Sequence, residues 1–370
     1  MKIGVVTYST RSDNYGQVLQ YLATQEFLKE FGHEVYLLRR FQKKDSLIKK
    51  ILKPAYRFVK NIICSNSKND KFQMQMKMFS SWRTQSAKSE KKHPRYFEKF
   101  RKTFFKIEED DGSFFEKKQF DAFCSGSDQI WADDVFFYYL EFAPINSIRF
   151  SMASSIGYRE ITESFVERVK KPLSKYSFIT VRENSAAELC RRAGRSDARV
   201  VLDPTFLLSH DKYRQFASKE KKTKPFIFLY LLGADISVSV DRIYDFAEKN
   251  GFEIKYVASQ GREDKFPKIY ATMEEWLGLL ADAEYVITNS FHGMALSIIH
   301  HKKFVVFPVI GVLSTMNERL ENVANTFCLS DRIYRGNMDV LFELIDWSKT
   351  DFVIAQNRDL MSSLIRSLNK

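Results

Sequence analysis

His292 stands in the run TNSFHG, residues 288–293, where the apolar stretch EYVI ends and a short apolar helix, Gly293 to Ile299, is due to begin. A histidine there can take up and release a proton near neutral pH, since its unperturbed pKa of about 6.5 lies in that range. Asn289 and Ser290 add hydrogen-bonding groups beside it, and Gly293 lets a ligand approach the backbone. The N-terminus of a helix also offers unpaired N–H groups that suit an anion. Four more polar runs follow apolar stretches in the same way. They are TRSDNYG (10–16) with Asn14 and Gly16, SGSDQIW (125–131) with Ser127 and Asp128, SMASSIGYR (151–159) with Ser154 and Ser155, and VREN (181–184) with Arg182. In open parallel sheets, ligands bind beyond the carboxyl ends of strands, where all five runs fall.

Each run also has a plainer reading. Ser, Asp and Asn after a strand ordinarily cap the next helix through a side-chain oxygen. Arg182 and Glu183 read as a surface ion pair of little worth, Asp203-Pro204-Thr205 as a turn, and a single histidine as a satisfied core residue. His300 and His301 close a helix, where cationic histidines suit the dipole. The recurrence of polar groups at five strand ends favours a ligand site. The chain has no GxSxG, GxxxxGK[ST] or HExxH run, so those nucleophile, nucleotide and zinc chemistries have no motif here.

The elements that must position these residues alternate between strand and helix. KIGVVTY reads as a first strand, and Val18, Leu19, Leu22, Phe27, Leu28 and Phe31 recur at helical spacing before Gly32 and the strand HEVYLLRR. The same alternation resumes at QFDAFCSGSDQIW and runs through ARVVLDPTFLL. After a Lys-rich connector it starts again at FIFLYLL and ends at KFVVFP. Strands joined by helices imply parallel sheets with right-handed crossovers. The reading is therefore an α/β chain of two Rossmann-like domains facing a cleft. Residues 1–216 form the first, with an insertion over about 40–106, and residues 217–349 the second. A helix at 350–370 returns to the first domain.

The insertion is basic. From Arg39 to Lys106 there are 21 Lys and Arg against 4 Asp and Glu, an excess larger than the +12 of the whole chain, so the remainder is acidic. Within it, LIKKILKPAYRFVKNII sets paired apolar positions between lysines and arginines. That pattern suits a helix packed on its own protein or laid against an anionic membrane surface through residues 43–63. No nucleic-acid-binding module accompanies it. The four cysteines are scattered, with no CxxC pair, which favours a reduced cytosolic chain without thiolate metal sites. Cys124 ends an apolar strand and reads as a core residue. The N-terminus lacks the pattern of a secretory leader, and no run has the roughly 20 apolar residues a membrane span needs.

The segments DNYGQVLQYLATQEFLKEFGHEV, FDAFCSGSDQIW, SMASSIG, ITVRENSA, VVLDPTFLL and VITNSFHGMALSIIHHKKF, in this order, resemble the polysaccharide pyruvyl transferase family. The resemblance implies a two-domain architecture of the glycosyltransferase-B type. It also implies transfer of a pyruvyl group from phosphoenolpyruvate, a co-substrate, to two sugar hydroxyls as a cyclic ketal, with no cofactor and no metal. His292 then moves the proton. Arg182, Asn289, Ser290, Gly293, Ser154 and Ser155 are the expected donor contacts, and Asn14, Gly16, Ser127 and Asp128 the expected acceptor contacts. The acceptor is a glycan, carried on a lipid at the inner face of a bacterial membrane. Other branches carry Arg-x-His where this chain has Ser290-Phe291-His292, so the donor contact expected from that arginine must come from elsewhere or be absent. Two other functions fit the same architecture, a nucleotide-sugar glycosyltransferase and a catalytically idle relative acting in glycan assembly.

Overall fold

The computed structural model describes residues 1–8, 14–40, 81, 88–110, 119–132, 135–157, 160–219, 224–233, 236–259, 262–310 and 317–368. Residues 43–63, the expected membrane-facing stretch, lie outside the described residues.

Short apolar runs bounded by polar loops make two parallel sheets. The first joins β1 (Lys2–Val6), β2 (Glu34–Arg40), β3 (Lys106–Asp110), β4 (Ala122–Ser125) and β5 (Ile148–Ser151) in the order β3-β2-β1-β4-β5. The ladder is parallel throughout, with Ile3 opposite Val35 on one side and Ala122 on the other. The pair β6 (Thr180–Val181) and β7 (Arg199–Val200) continues it through single bridges from Phe150 to Phe178 and from Ser154 to Val181. The second sheet joins β8 (Phe226–Tyr230), β9 (Glu253–Val257), β10 (Tyr285–Thr288) and β11 (Lys303–Val306) in the order β11-β10-β8-β9, again all parallel. Strand order reverses direction between β1 and β4 and between β8 and β10. A crevice for a ligand opens at such points.

Helix α1 (Tyr15–Lys29) lies where the two units meet, and every residue from Tyr15 to Leu28 except Gln17 is buried. The apolar periodicity predicts this helix. Its polar positions are covered as well, Gln25 by the Phe104 carbonyl and Glu26 by Lys212. Gln20 Nε2 donates to Thr7 Oγ1 at 2.7 Å and Thr24 Oγ1 to the Gln20 carbonyl at 2.8 Å, while Gln20 Oε1, Gln25 Oε1 and the Tyr21 hydroxyl have no partner among the described residues. Tyr15 stacks on Trp276 at 5.4 Å, meets Tyr230 edge-on, and donates to the Ala271 carbonyl at 2.5 Å. One apolar core thus runs from Ile3 and Leu22 through Tyr15 to Phe228 and Met294, closing the cleft on this flank.

Helix α2 (Phe97–Phe104) buries Phe97 and Phe100 in the same core, and β3 follows it directly. The expected insertion therefore ends in folded structure before residue 106. KIEED escapes notice as a strand because it is a charged edge strand, held by β2 alone and by the Arg39–Glu109 pair at 3.5 Å. The last helix, Ser348–Ser367, takes the Leu202 N–H on Asn357, and its Arg358 bonds the Leu207 carbonyl and Glu30. Near its start, Asp351 meets His301 at 2.8 Å. The neighbouring His300 is not a helix-end cation: burial pulls its pKa down to about 3, helped by the charges of Lys302 and Arg214. Cys124 is fully buried in β4. No described helix is long and apolar enough to cross a membrane.

Candidate functional site

Helix α3 (Phe291–Ile299) begins at the carboxyl end of β10, beside the strand-order reversal. Three polar residues fix that start. Thr288 Oγ1 donates to the Tyr230 carbonyl at 2.6 Å and accepts the Ser290 N–H at 3.0 Å. Asn289 accepts the Leu232 N–H at 2.6 Å and donates back to the Leu232 carbonyl at 2.9 Å, tying the ends of β8 and β10 together. Ser290 is the N-cap and accepts the Gly293 N–H. A Cβ added at Gly293 would lie 2.5 Å from Thr288 Oγ1, so this helix can sit so close to the strand only with glycine there. Asn289 and Ser290 thus hold the backbone that presents His292.

The ring of His292 reaches the first turn of α1. Asn14 caps that helix, accepting the Gly16 N–H at 2.9 Å, and a Cβ added at Gly16 would overlap Nδ1 of His292. The loops after β1 and β10 therefore touch, bringing Asn14 and Gly16 beside the histidine. His292 Nε2 is buried and has no hydrogen-bond partner among the described residues. Burial pulls its pKa down to about 4; Arg319 and Arg182 push the same way, and Asp203 and Asp128 oppose them. The imidazole is neutral at pH 7.

Arg182 follows β6, and its side chain is 8% exposed. Nη1 donates to Asp203 Oδ2 at 3.0 Å, the guanidinium lies 5.7 Å from the Phe291 ring centre, and Nη2 is buried without a partner among the described residues. Burial disfavours its charge, but Asp203, Glu183 and Asp128 outweigh that and raise its pKa. The pair with Asp203 is buried, and the pair with Glu183 that adjacency in sequence suggests is also present, at 3.9 Å, but is not a surface pair. Asp203 is the larger correction. Its run reads as a turn, and it does cap the turn through the Thr205 N–H, but its carboxylate also accepts from Ser127 Oγ at 3.2 Å and pairs with Arg182. Burial raises its pKa, yet His292, Arg182 and the Thr205 N–H together hold it below the ordinary carboxylate value.

The remaining residues frame this cluster. Ser154 donates to the Ser125 and Gly126 carbonyls, and Ser155 accepts the Gly157 N–H, so both hydroxyls bind loop to loop. Asp128 has a positive φ of 80° and accepts the Gln129 N–H while staying half-buried. Arg319, in helix α4 (Asn317–Thr326), lies 5.0 Å from the Phe291 ring centre and carries no motif that marks it in the sequence. No group of three or more described His, Cys, Asp or Glu side chains is placed to hold a metal ion.

The close approach at Gly16 carries a test. Gly16→Ala keeps the helix, since alanine is the better helix former, but it must push the imidazole aside. Turnover is expected to fall by about 100-fold, the usual effect of a displacement near 1 Å, with a loss of stability of about 1–3 kcal/mol from the overpacking. Wild-type steady-state rates in the variant would show that the ring's position does not matter.

A family model described as polysaccharide pyruvyl transferase matches residues 14–309. No curated protein matches the chain. Among solved structures it is similar to the UDP-GlcNAc 2-epimerase of Methanocaldococcus jannaschii, at 12% identity and a TM-score of 0.44, covering 97% of this chain and 92% of that one. It is also similar to a Neisseria meningitidis UDP-GlcNAc 2-epimerase bound to UDP-GlcNAc, at 9% identity and 0.43, covering 100% and 94%. A Streptomyces glycosyltransferase complexed with thymidine diphosphate follows at 11% and 0.43, covering 100% and 99%.

Proposed function

The chain belongs to the polysaccharide pyruvyl transferase family, and on that premise we propose that it transfers a pyruvyl group from phosphoenolpyruvate to two hydroxyls of a glycan, forming a cyclic ketal and releasing phosphate. The observation that carries this reading is the pair of buried nitrogens, His292 Nε2 and Arg182 Nη2, that have no partner among the described residues, at strand ends that meet. A buried polar atom without a partner is costly unless a ligand completes it.

Phosphoenolpyruvate brings a carboxylate and a phosphate. Arg182 offers its free N–H edge to one of them, since an arginine–oxyanion bond is strong in a dry site. The same charge alters His292. Nearby negative charge raises a histidine pKa, so the donor recruits the proton its methylene carbon must receive. The imidazolium gives that proton to C3, and a sugar hydroxyl adds to C2. The neutral imidazole takes the hydroxyl proton and passes it to the phosphate as the C2–O bond breaks. The second hydroxyl then closes the ketal at C2 and loses its proton to solvent. Asp128, half-buried beside the loop of Ser127, suits an acceptor hydroxyl. The proposal requires no resident cofactor and no metal. It includes a lipid-linked acceptor at the inner membrane face, with residues 43–63 against anionic lipid.

Phosphate release from phosphoenolpyruvate, assayed with and without glycan acceptors, tests the reading. Acceptor-dependent release supports it. Release of a nucleotide from a nucleotide sugar instead would make the chain a glycosyltransferase, and silence with every acceptor would favour an idle relative.

A further inference from the structure

The residues around His292 leave an imbalance of charge. Arg182 is already matched by Asp203 at 3.0 Å, and Glu183 and Asp128 add negative charge nearby. Among these described residues, a donor with two anionic groups would meet more acidic than basic side chains. The turn that carries His292 supplies no cation, because Ser290 is uncharged and its oxygen caps α3. A second positive group does reach the cluster from outside these motifs. Arg319 lies 5.0 Å from the ring centre of Phe291, Arg182 lies 5.7 Å from the same centre, and that ring meets His292 edge-on at 5.0 Å.

The helix that carries Arg319 is firmly held. Asn317 bonds both the N–H and the carbonyl of Val309, at 2.8 Å each, which ties the start of α4 to the segment after β11. Leu320 and Ala324 bury its inner face in the core. Arg319 is thus carried on a rigid support, as a binding residue must be if it is to be preorganised.

We infer that Arg319 is a donor-binding residue, and that Arg182 and Arg319 share the ring of Phe291 as a platform from which each guanidinium takes one anionic group of phosphoenolpyruvate. The inference rests on the pyruvyl-transfer reading and deepens it. It assigns to α4 the cation that the histidine turn lacks. Its charge also acts on His292, adding to the burial that lowers the imidazole pKa.

The test is binding of phosphoenolpyruvate alone, by calorimetry, to the wild-type chain, Arg319→Gln and Arg319→Lys. Loss of one charged hydrogen-bonded contact is expected to weaken binding about 10- to 100-fold in the Gln variant. Lys should fall between, because it keeps the charge but not the planar fork. Titration of labelled histidine by NMR gives a second readout that needs no donor. Removing the Arg319 charge should move the His292 midpoint upward from about 4. Wild-type affinity in a folded Gln variant, or an unmoved His292 midpoint, overturns the inference and leaves the pyruvyl-transfer reading intact. Failure of the wild-type chain to bind phosphoenolpyruvate overturns both.

Discussion

His292→Ala is expected to lower glycan-dependent phosphate release by about 10³-fold or more, the upper part of the range for a lost acid–base group. The protein should stay folded. Nε2 is buried without a described partner, so removing the ring removes an unfavourable desolvation along with its packing. Two measurements distinguish a proton-transfer role from a packing role. Burial pulls the His292 pKa down to about 4, and an anionic donor raises it, so donor binding should draw in a proton at pH 5–6. Calorimetry in buffers of different ionisation enthalpy would record the uptake in the wild type and its absence in the variant.

The second measurement is stability against pH. A histidine whose folded pKa lies below its unfolded value of about 6.5 binds more protons when unfolded, so stability falls as pH drops from 6.5 towards 4. The variant should lose up to about 3 kcal/mol less than the wild type across that window. Equal slopes would show that burial does not depress the His292 pKa, and near wild-type turnover in the variant would remove His292 from the chemistry.

Asp203→Asn is expected to lower the unfolding free energy by about 3–5 kcal/mol, because breaking one side of a buried ion pair leaves an uncompensated charge inside the protein. The carboxyl is ionised at neutral pH, with its pKa held below the ordinary value. It is 2% exposed, so water cannot replace the lost partner of Arg182. Chemical denaturation gives the number. The double variant Arg182→Met, Asp203→Leu should recover much of that stability, since well-packed apolar residues often replace a buried pair without loss. It should not recover activity. A single variant as stable as the wild type would show that Arg182 finds another counter-charge.

These two residues also show how unevenly the site could be read. TNSFHG announces itself, because a histidine at a strand end has few structural duties that so many polar neighbours would serve. Asp203 does not, because Asp-Pro-Thr is equally a turn signal and both uses are real: one carboxylate oxygen caps the turn and the other meets Arg182 and Ser127. Its partners lie 21 and 76 positions away, and no local pattern encodes that meeting. The capping reading and the ligand reading of the other polar runs are not exclusive either. Asn14 and Ser290 cap helices, and by doing so they set Gly16 and His292 against each other.

Apolar runs, turn residues and helical periodicity by themselves determined the alternating strands and helices, two parallel units, and the placing of polar loops at strand ends, because each of these follows from local backbone preference and burial. Charged β3 was invisible to that logic, since an edge strand needs only one neighbour and little apolar content. Only the tertiary structure decided which groups meet. It covered α1 on every side, neutralised His300 and His292 by burial, paired Arg182 with Asp203, and brought Arg319 to Phe291 from a helix with no motif. Charge, protonation and contact in a dry site depend on distances between residues remote in the chain, and those distances exist only once the two units have packed around α1.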